Sequence, residues 1–183
     1  MFYAVATLIE SKIWNNILVQ NEDTQRILQR YSSENDPIHF SWLVCQGIDK
    51  GQIKEVLEDI TKKIKPFSVQ SGGIGIFPGD KPVVTFQIVR NLLVSDIQRE
   101  IWEKCVPYID HVNGFYSPDF WIPHITLIHQ NIGREVFCQF IENSIFTDVR
   151  FSFDVTNLSI IFQNGKKKGI LYRFDFLEEP DQI

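Results

Sequence analysis

HFSWLVCQ (residues 39–46) and HITLIHQ (residues 124–130) are the two stretches from which the fold is read. Each opens with a His-x-Ser/Thr triplet, His39-Phe-Ser41 and His124-Ile-Thr126, and continues as a short apolar segment of strand-like composition. Side chains on a strand alternate between faces, so His39 and Ser41 share one face, and His124 and Thr126 share another. Two imidazoles with two hydroxyls are suited to moving protons on and off a phosphate. Among only four histidines, two such triplets would arise by accident about one time in twenty. Their weight therefore comes from the matching context around them.

Upstream of the first triplet, residues 2–9 read as a strand, and residues 11–31 carry helical spacing through Trp14, Ile17, Leu18, Ile27, Leu28 and Tyr31. Past Gly47, the positions Ile53, Val56, Leu57, Ile60 and Ile64 form one helical stripe that Pro66 ends. Residues 67–77 and 83–89 read as two strands joined by the turn formers of residues 78–82. Gly72, Gly73 and Gly75 mark a bulged or closely approached stretch in the first of these strands. Ser95-x-x-Gln98 reads as a capping box for the next helix, which Pro107 kinks or ends. The loop NGFYSPDFWIP (residues 113–123) delivers the second triplet strand. A helix through Val136, Phe137, Phe140, Ile141 and Ser144 follows, then strands over residues 149–162 and 170–177.

Strand, helix, strand, loop, strand thus occurs twice, at about residues 39–90 and 124–177, with a triplet at the head of each copy. Such a duplication predicts an α+β fold over residues 1–183 as a single bilobal domain. Its lobes would be related by a pseudo-twofold, with equivalent residues facing one another across a groove.

Composition narrows the function classes. At 183 residues, with 44% hydrophobic and 13% aromatic content, the chain is long enough to bury a core. Its 18 Lys+Arg against 23 Asp+Glu leave a net charge of −5. That argues against gripping long duplexes, which requires a basic face, but a nucleotide or RNA end needs only one phosphate contact. Cys45, Cys105 and Cys138 sit in apolar-periodic segments without metal-ligand spacing, and read as buried reduced thiols. The first residues lack the basic start and apolar length of a signal sequence, and no apolar run is long enough to cross a bilayer. The expectation is a cytoplasmic monomer that meets no membrane. His124 and His129 are five apart and fall on opposite strand faces, which argues against a shared zinc site. Tyr116 and Trp121, with Phe115 and Phe120, supply rings that either stack a base or pack the loop. Lys166-Lys167-Lys168 reads most simply as a solvated hairpin tip, with an RNA-backbone contact as the lesser reading, and His111 as a surface or capping residue.

Opening a cyclic phosphate with water requires a base for the water and an acid for the departing ribose oxygen. Imidazole, with a pKa near ~6.5, serves either role at neutral pH, each worth about 10²–10⁴ in rate. Hydroxyls at Ser41 and Thr126 either steady the non-bridging oxygens or satisfy nearby backbone groups.

Taken together, His39-x-Ser41, His124-x-Thr126, GIGIFP (residues 73–78) and YSPDFWIPH (residues 116–124) resemble the 2H phosphoesterase superfamily. The similarity is greatest to its bacterial 2′-5′ RNA ligase and cyclic phosphodiesterase branch, and runs in order along nearly the whole chain. The resemblance implies two antiparallel β-sheets facing a central groove, with helices packed on the outside. It implies one triplet histidine per lobe in that groove, and action without metal or cofactor on 2′,3′-cyclic phosphates, 2′-5′ linkages or RNA 3′ ends. By the same resemblance His39 is the general acid, His124 the general base, and Ser41 and Thr126 bind phosphate, although the near-symmetry of the triplets leaves acid and base interchangeable. Two positions depart from the family pattern. Trp42 stands where Leu usually follows the hydroxyl residue, and His129 stands where many relatives carry Arg. If His129 binds phosphate it does so only when protonated, which shifts activity toward lower pH. A module of the same fold that binds RNA ends or nucleotides without turnover is the alternative, and hydrolysis and reversible 2′-5′ ligation both remain open.

Overall fold

Apolar residues in the first eight positions pair with the first triplet segment: β1 (Phe2–Leu8) lies antiparallel to β2 (His39–Ile48). The computed structural model describes residues 1–10, 26, 37–128, 132–146 and 150–177. His129, and the helical spacing of residues 11–31 apart from Arg26, lie outside the described residues. After β2 come α1 (Lys50–Thr61), β3 (Phe67–Phe77), β4 (Val83–Ile88), α2 (Leu92–Cys105) and β5 (Ile109–Val112). Then follow β6 (His124–Ile128), α3 (Arg134–Ile145), β7 (Ser152–Val155), β8 (Asn157–Asn164) and β9 (Lys167–Asp175).

The strands pair antiparallel in the order β7-β3-β4-β6-β2-β1-β8-β9, with β5 also paired to β2. Where two facing sheets were expected, the described strands form one curled path whose halves meet at β2 and β6. That junction has one described register pair, Phe40↔Ile125. The hairpin that follows the first triplet, β3–β4, lies beside the second triplet's strand. The hairpin near the chain end, β8–β9, lies beside β1 on the first triplet's side. The second triplet's strand is thus flanked by the other half's hairpin directly, and the first triplet's strand is separated from its counterpart hairpin by β1 alone.

Two helices cover one face. Ile53, Leu57 and Ile60 of α1, and Ile97 and Ile101 of α2, are buried where these helices meet each other and the strands β2, β8 and β9. Each such side chain contributes about 1.5–3 kcal/mol by leaving water. Asp49 caps α1 by accepting from the backbone N–H groups of Gly51 and Gln52 at 3.0 and 3.1 Å. The expected Ser95-x-x-Gln98 box does not start α2. Asn91 caps it one turn earlier, accepting from the Val94 N–H at 2.9 Å, and leaves Ser95 inside the helix. Gln98 is instead buried and donates to the Tyr116 carbonyl at 2.7 Å. The thiols of Cys45 and Cys105 are buried, which pushes both up to about 12, with Asp110 adding to the rise at Cys45. Cys138, expected to be buried, is exposed. Phe140 and Ser144, one turn apart, form the buried stripe of α3, and Cys138 falls away from it.

The segment 149–162 reads as one strand in the sequence but forms two, β7 and β8, broken at Thr156. The cause is Asn157, whose side chain replaces a backbone pair at the end of β1. Its Oδ1 accepts from the Leu8 N–H, and its Nδ2 donates to the Leu8 carbonyl, both at 3.0 Å. The Ser159 hydroxyl donates to the same Oδ1 at 3.1 Å, and the Thr7 hydroxyl donates to the Asn157 carbonyl at 2.9 Å. This buried network also accounts for Trp42, because its indole N–H donates to the Thr7 hydroxyl at 2.9 Å, a bond leucine cannot make. Trp42 is the extra residue of a β-bulge, with Val5 paired to Leu43 and Ala6 paired to Ser41. The bulge changes the phase of the strand, so that Leu43 joins the core.

The glycine-rich stretch of β3 is bulged as expected. The register with β4 shifts between Ser71 and Gly73, and Gly73 takes a φ of 106°. Among the described residues no helix is long and apolar enough to cross a membrane. Asn157→Leu is expected to destabilise the protein by about 1–3 kcal/mol for each buried group it strands, measured as a lower midpoint in urea unfolding. A wild-type midpoint would contradict the assigned role of the network.

Candidate active site

The junction between the two halves builds the site. Phe40 and Ile125 oppose one another across β2 and β6, and both are fully buried. Extending an antiparallel register by one residue in each direction sets His39 opposite Thr126 and Ser41 opposite His124. Since Phe40 and Ile125 point into the core, these four side chains emerge together on the other face. Directly opposed side chains have Cβ atoms about 4.5–5.5 Å apart, and diagonal neighbours about 7–8 Å. The histidines occupy one diagonal of this square and the hydroxyls the other. All four residues line one cavity of about 350 Å³.

The histidines are held alike. His39 Nδ1 lies 2.6 Å from the Pro37 carbonyl, and His124 Nδ1 lies 2.7 Å from the Ile122 carbonyl, in each case two residues back. A carbonyl only accepts, so Nδ1 carries the proton of each neutral ring and Nε2 is left as the basic nitrogen. The surroundings of His124 act on its charge. The Phe77 ring meets His124 edge-on at a centroid distance of 4.9 Å. Burial pulls the His124 pKa below the ordinary imidazole value, and the Ile122 carbonyl opposes this more weakly.

Tyr116 also lines the cavity, at the end of the 3₁₀ turn Gly114–Tyr116. Burial raises its phenol pKa, which keeps the proton on, while a hydrogen bond with the Ser41 side chain acts the other way. Trp121, an expected substrate contact, lies in the core. It is 2% exposed, its ring stacks on Trp42 at 5.3 Å, and its indole N–H donates to the Ser41 carbonyl at 3.0 Å. A ring sealed on both sides has no face left for a base, so Trp121 instead fixes the backbone beneath Ser41. Arg90 secures this loop by donating to the carbonyls of Trp121, at 3.0 Å, and Pro118. Phe115 and Phe120 are 79% and 71% exposed and do not line the cavity.

Sequence reasoning missed Phe162 and Gln163 on the far wall and held a substrate contact by the lysine run only as its lesser reading; these two and Lys168, all from the β8–β9 hairpin, line the same cavity. Nothing local marks Lys168 out from Lys166 and Lys167; only the pairing of β8 with β1 brings it there. Among the described residues no three His, Cys, Asp or Glu cluster as metal ligands. In an NMR titration, His124 should lose its proton below the ordinary imidazole range. Phe77→Ala, by admitting water, should move that titration upward; an unmoved titration would contradict burial as the cause.

The model of the 2′-5′ RNA ligase superfamily matches residues 15–167. Among solved structures, TT0787 of Thermus thermophilus is similar with a TM-score of 0.62 at 15% identity, covering 96% of this chain and 98% of that one. LigT of E. coli complexed with 3′-AMP is similar with a TM-score of 0.62 at 13% identity, with coverage of 96% and 98%. At such identities the likeness is one of fold. No curated protein matches the chain in sequence. With most of its length matched and the strands that carry both triplets inside the match, the chain belongs to the 2′-5′ RNA ligase superfamily.

Proposed function

We propose that the protein is a phosphodiesterase acting on a 2′,3′-cyclic phosphate or 2′-5′ linkage of a nucleotide or RNA end, with His124 as general base and His39 as general acid. The observation that carries this reading is the square of two imidazoles and two hydroxyls on one face of the β2–β6 junction, lining one cavity. A phosphorus atom held over the middle of that diagonal would have one ring on either side, the arrangement that in-line displacement requires. Water attacks phosphorus as its proton passes to His124 Nε2. The bond from phosphorus to the ribose oxygen breaks, and that oxygen takes the proton of His39 Nε2. Ser41 and Thr126 donate to the non-bridging oxygens as charge grows on them.

The depressed pKa of His124 supports its assignment as base, since it favours the neutral ring at pH 7. LigT has been solved with phosphate and with ATP, in line with phosphate binding by this fold. One chain supplies every group in the scheme, and neither metal nor cofactor enters it. The scheme thus calls on no second copy of the chain, and our reading is of a monomer that acts on RNA ends. The matching Nδ1–carbonyl bonds on either side of Phe40–Ile125 support a bilobal duplication as the origin of the site. Reversal of the same proton transfers would give 2′-5′ ligation.

The test is turnover of a nucleoside 2′,3′-cyclic phosphate in EDTA. His39→Ala and His124→Ala should each lower kcat/KM by about 10²–10⁴, and Ser41→Ala and Thr126→Val by up to about 10²–10³. Undiminished rates in both histidine variants would overturn the assignment, and saturable binding without product would favour the binding module. The pH profile should be bell-shaped. Activity is lost as pH falls through the depressed pKa of His124, which must be neutral, and lost again at high pH where His39 gives up its proton. Because the pKa of His124 is lowered, the acidic limb should lie below the ordinary imidazole range.

A further inference from the structure

The loop that delivers the second triplet grips Ser41 of the first from two sides. At one end the Trp121 indole N–H donates to the Ser41 carbonyl at 3.0 Å. At the other, the Tyr116 phenol is hydrogen-bonded with the Ser41 hydroxyl, and both residues line the cavity. The Tyr116 backbone is fixed as well. Its N–H donates to the Asn113 carbonyl at 2.9 Å, and its carbonyl accepts from Gln98 Nε2 at 2.7 Å. Its ring packs against the core. The phenol is therefore set in place before any ligand arrives.

A hydroxyl has one proton to donate and lone pairs that accept. Between Tyr116 and Ser41, one proton is spent on the bond they share and one is left over. An anion held between the triplets decides which. Ser41 stands on the square, so its own proton turns to the anion, where the bond is charge-assisted. The Tyr116 proton then turns to Ser41 Oγ. Burial favours the protonated phenol, so that proton is in place at neutral pH and above. Hydrogen bonds in such a chain polarise one another. The Ser41 donor therefore strengthens as charge grows on the phosphoryl oxygen it meets.

We propose that Tyr116 is a positioning residue for the phosphate chemistry: it donates to Ser41 Oγ and so aims the Ser41 proton at a non-bridging oxygen, serving the phosphate rather than stacking a base. This rests on the reading of the triplets as the phosphate site. A double-mutant cycle tests it, read by turnover of adenosine 2′,3′-cyclic phosphate and by calorimetric binding of adenosine 3′-monophosphate. Tyr116→Phe keeps the ring and removes the hydroxyl. It should lower kcat about three- to tenfold, the scale of one hydrogen bond. KM should change less than about twofold, since the bond matters most where charge has grown. The monophosphate already carries a second negative charge at about pH 8, above its second pKa, and its binding should weaken by a similar factor. In a Ser41→Ala background, Tyr116→Phe should cost less than about twofold in either readout. In a Thr126→Val background it should cost the full factor. Packing of the ring, or direct contact of the phenol with the ligand, would instead cost the same with and without the Ser41 hydroxyl. Unchanged kcat and binding in Tyr116→Phe, or an equal cost in the Ser41→Ala background, would overturn the inference. The two readings fail separately. Turnover with an additive cycle removes only the Tyr116 role, whereas coupled losses in binding without turnover remove only the catalytic roles of the histidines. Neither binding nor turnover removes both.

Discussion

The contact between β2 and β6 is the constraint from which the site follows. Phe40 and Ile125 meet there as one antiparallel pair, buried on the core side. A single pair is enough, because strand geometry then dictates where the residues on either side must go. With the register set, each triplet's histidine faces the other triplet's hydroxyl, and the four side chains have no choice of face. A slip of one residue in either strand would drive that strand's imidazole into the apolar core. The hydrophobic cost of exposing Phe40 and Ile125 therefore guards the geometry of groups that take no part in the packing.

The support beneath this square is unusually aromatic and polar at once. Trp42 and Trp121 stack under Ser41, and each spends its indole N–H on a named acceptor, the Thr7 hydroxyl and the Ser41 carbonyl. The Thr7 end continues through Asn157 to Leu8 and Ser159, tying β8 to β1, the strand beside the first triplet. Arg90 and Gln98 hold the loop that carries Tyr116 and Trp121. Side chains distant in sequence thus fix the backbone on both sides of Ser41. A network of this kind is costly to leave half-made, so it favours one arrangement over near alternatives.

The surroundings of the second triplet's histidine act on its charge. Both rings use Nδ1 in the same way, and His124 is pressed by Phe77 and loses solvation that its charged form needs. Burial of this kind favours the neutral imidazole, the form a general base requires. The cavity also departs from the charge of the whole molecule: a net negative chain folds so that its described cavity wall lacks carboxylates and includes a lysine.

What could be read from the chain followed from local periodicity. Alternation in residues 39–46 and 124–128 determined which residues share a face, apolar spacing located the helices α1 and α3, and the proline-glycine loop at residues 78–82 located the β3–β4 hairpin. Local signals failed where tertiary demands overrode them. Asn91 capped α2 ahead of Ser95, Asn157 broke a strand that looked continuous, and β5 was too short to show a pattern. The amino-acid sequence by itself determined the two triplets, the strands that bear them and the chemistry they carry. Only the tertiary structure decided that the strands are neighbours, that Trp121 lies beneath the site rather than in it, and that Lys168 reaches the cavity. Periodicity acts along the chain within one element, whereas register, burial and solvation depend on which distant strand lies alongside.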